Sequence, residues 1–109
     1  MKRLVSEKLL TIIATGELEN TLVEIARKRG VSGYTVVQAH GAGSSGIQSG
    51  MLDIDTNILI YIILPESRVS DLLDDLERLI RKHYHLKVFA SEIMLLPLGQ
   101  QKWHPGDAT

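Results

Sequence analysis

Residues 57–95 read NILIYIILPESRVSDLLDDLERLIRKHYHLKVFASEIML, a strand, a helix and a second strand in turn. Asn57 to Leu64 is so apolar (Ile58, Leu59, Ile60, Ile62, Ile63) that a strand here must be covered on both faces, and Pro65 ends it. In the next segment Val69, Leu72, Leu73, Leu76, Leu79 and Ile80 recur at helical spacing. Asp71, Asp74, Asp75, Glu77 and Arg78 take the other side of that helix, and the Asp74–Asp75 pair reads as solvated, since adjacent helical residues point apart. After Lys82 a short connector, His83-Tyr84-His85, leads into a strand from Leu86 to about Leu95.

Working outward, the first half repeats the plan. Leu9 to Ala14 is a short apolar run rich in β-branched residues and closed by Thr15-Gly16, which reads as a buried strand. Glu17 to Arg29 follows as a helix, with Leu18, Leu22, Ile25 and Ala26 on one stripe and Gly30 as its stop. Glu17 and Glu19 in the first turn, with Arg27, Lys28 and Arg29 in the last, complement the helix dipole. A strand from Tyr34 to about His40 comes next. The order βαββαβ predicts an α/β (α+β) sandwich of the ferredoxin-like type, an antiparallel sheet with both helices on one face. Because the strands are apolar almost throughout, the face without helices needs cover, and association of copies through that face is the simplest cover.

The bulk numbers set the limits. The 109 residues suffice for one domain and one core. A formal net charge of -1 predicts neither a nucleic-acid partner nor an anionic membrane surface. There is no cysteine, so disulfides, thiolate metal sites and thiol nucleophiles are excluded. No run approaches the roughly 18 apolar residues that span a bilayer, so no membrane insertion is expected. The N-terminal residues do not read as a signal peptide, and the expected compartment is the cytoplasm.

Chemistry has few places to reside. Residues 41–56 form a long aperiodic stretch with Gly41, Gly43, Gly46 and Gly50, and such loops in compact chains are commonly functional or disordered. Gly41 to Gly46 matches G-x-G-x-x-G after a strand, but no convincing helix opens behind it, so the dinucleotide-fold reading is rejected. The glycine amides with the Ser44 and Ser45 hydroxyls can still wrap a phosphate in a backbone nest, and a plain surface loop is the alternative. Lys87, beside Val88 and Phe89, is either a gatekeeper on an edge strand or a point charge for a phosphate. Trp103, next to Lys102 in the polar tail, can dock on the fold, stack on a base or fray. His83 and His85, with His40 and His104 elsewhere, make a weak case for a metal, and ordinary surface histidines are the simpler reading. Asp53 and Asp55 lack any pocket signal. No nucleophile and base stand in a recognisable relation, and no catalytic residue is assigned.

Gly30-Val31-Ser32-Gly33-Tyr34-Thr35-Val36-Val37, followed by Gly41-Ala42-Gly43, resembles the G-x-x-G-x-T-V…G-x-G stretch of PII signalling proteins. Lys87-Val88-Phe89-Ala90 resembles their K-[IV]-F-V, and the long loop falls where that family carries its T-loop. The resemblance covers roughly residues 7 to 96. It implies one PII-like domain over 1–96 with a T-loop at 41–56, a C-terminal tail at 97–109, a homotrimer, and adenine-nucleotide sites in the clefts between subunits. By motif match, Gly33, Tyr34 and Thr35 would lie against adenine and ribose. Gly41 and Gly43, with Ser44 and Ser45, would offer phosphate contacts, and Lys87, with Val88 and Phe89, would meet the ligand from the other side. Lys102 and Trp103 are candidate tail contacts.

Departures from the pattern narrow the expectation. The T-G-x-x-G-D-G B-loop is replaced by His83-Tyr84-His85-Leu86, which favours ADP or AMP over ATP, with cyclic AMP (cAMP) a further candidate. The loop has no tyrosine between Gly41 and Thr56, which excludes uridylylation; the tail lacks an arginine-rich segment; and Gln48 does not sit where the family's T-loop glutamine would. The chain thus resembles the divergent PII-like proteins tied to inorganic carbon, associated with carboxysomes or bicarbonate transporters. That implies bicarbonate as a further ligand, and a transporter or a carbon-metabolism protein as the target. A metal-binding trimer similar to CutA, with His83, His85 or His104 as ligands, is the alternative.

Overall fold

The computed structural model describes residues 3–39 and 57–97. The elements are β1 (Val5–Thr15), a 3-10 turn (Gly16–Leu18), α1 (Glu19–Lys28), β2 (Gly33–Ala39), β3 (Asn57–Leu64), a second 3-10 turn (Glu66–Arg68), α2 (Val69–Arg81) and β4 (Leu86–Leu95). They form an α+β fold around one sheet of order β2-β3-β1-β4, with every neighbouring pair antiparallel. Each strand–helix–strand half therefore skips over a strand of the other half, the split arrangement of ferredoxin-like folds. Among the described residues no helix is long and apolar enough to cross a membrane.

Alternation decides which side chains are buried. In the β1–β3 register Leu10 opposes Ile62, Ile12 opposes Ile60, and Ala14 opposes Ile58. These even-numbered residues face the helices and are at most 4% exposed. Leu18, Leu22 and Ala26 close over them from the first half, and Leu72, Leu76 and Leu79 from the second. Fully burying one such Leu or Ile side chain contributes roughly 1.5–3 kcal/mol, so this two-sided stripe is the main source of stability. Odd-numbered residues point to the face that carries no helix. There Leu9, Ile13, Leu59 and Ile63 are half-buried, while Tyr61, Val37 and Phe89 are exposed.

Three expectations need correction. β1 begins at Val5, four residues before the apolar run, because Val5 to Lys8 pair with Leu95 to Glu92 of the long β4. That ladder recruits Ser6, Glu7 and Lys8, whose polarity hid them from a search for an apolar strand. Glu17 and Leu18 belong to the 3-10 turn that opens the helix, so α1 starts at Glu19. Asp75 is not solvated. It is 6% exposed, and Arg29 at the end of α1 grips it as a fork, Nε donating to Oδ2 at 2.6 Å and Nη2 to Oδ1 at 2.9 Å. Arg78 Nη1 adds a third bond to Oδ1 at 2.7 Å. Helical periodicity alone cannot show this, because the partner arrives from another helix.

The same corner sets the end of α1. Gly30 adopts φ +65°, and Arg68 Nη1 donates to the carbonyl of Arg29 at 3.2 Å. A Cβ at position 30 would come within 3.0 Å of that guanidinium. Glycine is favoured here by the left-handed backbone, whereas the guanidinium is the far end of an exposed side chain that can move aside.

The hydrogen bonds from Arg29, opposed by burial, hold the Asp75 carboxyl at about 2, below its ordinary 3.8. A depressed carboxylate contributes stability that is complete above 3.8 and is lost as pH falls from there through about 2. Asp75→Asn is therefore expected to lower unfolding free energy at neutral pH by on the order of 2 kcal/mol. In urea titrations at pH 7, 4, 3 and 2 the gap between wild type and variant should close across the most acidic steps. A gap that stays constant with pH would show that the fork does not stabilise the charged form.

Candidate functional site

The motif residues divide between the two outer strands. Gly33, Tyr34 and Thr35 open β2 at one edge of the sheet, and Lys87, Val88 and Phe89 sit near the start of β4 at the other. Three inter-strand spacings separate those edges, about 14 Å. One chain thus presents the two halves of the motif at opposite ends of its sheet and does not bring them together.

The pleat then sorts each half. Thr35 and Phe89 share a row on the helix-free face, which reads Thr35–Tyr61–Thr11–Phe89 across the four strands. Lys87 stands at the end of the adjacent row, which continues through Ile13 and Leu59 to Val37. Thr35, Lys87 and Phe89 are exposed, Phe89 at 55%. Tyr34 and Val88 instead point to the helix side, half-buried against the core. Gly33 is buried. Among the described residues no carboxylate lies within ion-pair distance of Lys87, which leaves its ammonium available to an anion.

Gly41, Gly43, Ser44, Ser45, Lys102 and Trp103 lie outside the described residues, as do His40, His104 and the loop at 41–56. Thr11 and Tyr61 share the Thr35–Phe89 row and were passed over in the sequence. The available signal was alternation, since both occupy odd positions in strands whose even positions are core. Thr11 is 5% exposed although it faces the side without helices.

The connector after α2 is a helix cap rather than a loop. His83 takes φ +74°, its N–H donates to the carbonyl of Ile80 at 2.9 Å, and the Tyr84 N–H donates to that of Leu79 at 3.1 Å. This pair of bonds is the Schellman arrangement that satisfies the last carbonyls of a helix. Both amides are consumed by α2, so neither is offered to a ligand. Among the described residues no three of His, Asp and Glu gather into a set able to hold a metal ion.

An antiparallel four-stranded sheet with two helices on one face defines the ferredoxin-like class of fold. The sequence profile of the family described as nitrogen regulatory protein P-II matches residues 7–95. The chain belongs to the P-II family.

Solved structures agree. A PII-like signalling protein from Thermus thermophilus superimposes with TM-score 0.71 at 34% identity, over 86% of this chain and 93% of that one. CPII from Thiomonas intermedia, bound to ADP and bicarbonate, matches with TM-score 0.76 at 30% identity, over 89% and 95% of the two chains. CPII bound to ADP, AMP and bicarbonate matches with TM-score 0.76 at 27% identity, over 89% and 94%. No curated protein matches the chain by sequence. The likeness is to the divergent PII-like proteins.

A β-carbon in the left-handed region is unfavourable where glycine is at ease. His83→Gly is therefore expected to raise stability by about 1 kcal/mol, read as a higher urea midpoint with an unchanged slope. An unchanged or lower midpoint would mean that the imidazole makes a stabilising contact.

Proposed function

We propose that this chain is a PII-like sensor of adenine nucleotides, which it holds in clefts between the subunits of a homotrimer and does not chemically convert. The observation that carries the reading is the placement of Thr35 and Lys87 on opposite edges of one sheet. A ligand that meets both motifs must be held by two copies, β2 of one beside β4 of the next. The helix-free face supports the same assembly, since its half-buried and exposed apolar residues need cover that the described residues do not supply.

In this reading the Lys87 ammonium meets a phosphate and Thr35 lies against the nucleoside. Gly33 allows close backbone approach, and Gly41, Gly43, Ser44 and Ser45 supply further phosphate contacts. ADP and AMP are favoured over ATP, because the amides of the His83–Tyr84 turn are already spent on α2. Bicarbonate is a second ligand by analogy with CPII, whose solved structures hold ADP, AMP and bicarbonate. Nucleotide binding then biases the 41–56 loop or the tail toward a form that a cytoplasmic target reads, a transporter or an enzyme of inorganic-carbon metabolism. Such a switch requires different nucleotide affinity in the two forms.

Calorimetric titration with AMP, ADP, ATP and cAMP, each with and without bicarbonate, tests the reading. Saturable binding of ADP or AMP at one site per 12.1 kDa chain is expected, with ATP weaker. Light scattering should give the mass of three chains. Lys87→Ala should weaken ADP binding by about 10-fold or more, the loss of one charge-assisted contact, and Thr35→Ala by a smaller factor. Unchanged affinity in both variants would overturn the site, and no binding of any adenine nucleotide would overturn the function.

A further inference from the structure

Helix α2 carries more apolar surface than the sheet uses. Leu72, Leu76 and Leu79 face the core and are at most 9% exposed. A second stripe, Val69, Leu73, Leu76 and Ile80, follows at intervals of four, three and four residues along the side of the helix nearest β4. Leu73 is 40% and Ile80 46% exposed. Together with Val88 and Ala90 of β4 this stripe floors an open groove. On the helix side of β4, Ala90 is exposed and Val88 only half-buried.

The rim of the groove is acidic. Among the described residues Glu66, Asp74 and Glu77 line it with Lys8 as the single cation; Lys8 pairs with Glu92 at 3.3 Å and Glu77 with Arg81 at 3.5 Å, which leaves Glu66 and Asp74 as the carboxylates outside those pairs. We propose that the groove between α2 and β4 is a docking surface for a basic amphipathic helix of another protein. The four-three-four spacing is the one on which a second helix interlocks its own apolar side chains. Charge selects the partner. A second copy of α2 would set these carboxylates against their own kind, whereas lysines flanking an apolar seam would complement them.

The probe is a synthetic 18-residue helical peptide with leucines at heptad spacing and lysines beside them, fluorescently labelled. Its counterpart has glutamates in place of the lysines. The lysine peptide is expected to bind the full-length protein saturably and more weakly as salt rises. The glutamate peptide should bind at least tenfold less well. Leu73→Ser/Ile80→Ser should weaken the lysine peptide by about tenfold or more, with ADP affinity unchanged. Asp74→Lys/Glu77→Lys should reverse the preference between the two peptides. The wild type failing to bind, binding unmoved by either double substitution, or a change of oligomeric mass in the serine variant would overturn the proposal; the last would make the groove a contact between copies.

Discussion

The central β1–β3 ladder is the constraint on which everything else in this structure rests. It sets Leu10, Ile12 and Ala14 opposite Ile62, Ile60 and Ile58. Side chains alternate across a strand, so a slip of one residue would send the three from the slipped strand to the wrong face. Burial of this stripe beneath both helices makes the register costly to change. The register in turn decides which residues stand on the helix-free side.

That decision propagates outward. With β1 and β3 in the middle, β2 and β4 become edges, and the two motif segments are carried to opposite sides of the molecule. The helix layer obeys its own constraint, centred on Asp75. The fork from Arg29 and the bond from Arg68 to the Arg29 carbonyl tie the end of α1 to α2 and to the turn before it. One acidic side chain and one carbonyl therefore fasten the two helices to each other at this corner, while their apolar faces seat them on the sheet.

The ends of the helices show how local chemistry shapes a site. α1 closes on Gly30 and α2 on His83, both left-handed. After α2 the cap consumes the amides that a longer loop would leave free. A compact turn that satisfies the last carbonyls of α2 therefore stands between α2 and β4.

Much of this was legible in the residues. The spacing of Leu72, Leu76 and Leu79 identified α2, the run from Ile58 to Leu64 identified β3, and the order of elements implied the split βαβ fold. These signals are local, because helical and strand periodicity are properties of neighbouring residues. The polar start of β1 was not legible, because Ser6, Glu7 and Lys8 become a strand only through the β4 ladder. Neither was the burial of Asp75, which depends on an arginine 46 residues away. For the candidate site the sequence by itself supplied the motif residues, and the family resemblance they carry is what suggested a ligand for them. Tertiary structure alone decided that Thr35 and Lys87 share a face at opposite edges of the sheet, since strand order and register arise from long-range pairing that no local pattern encodes.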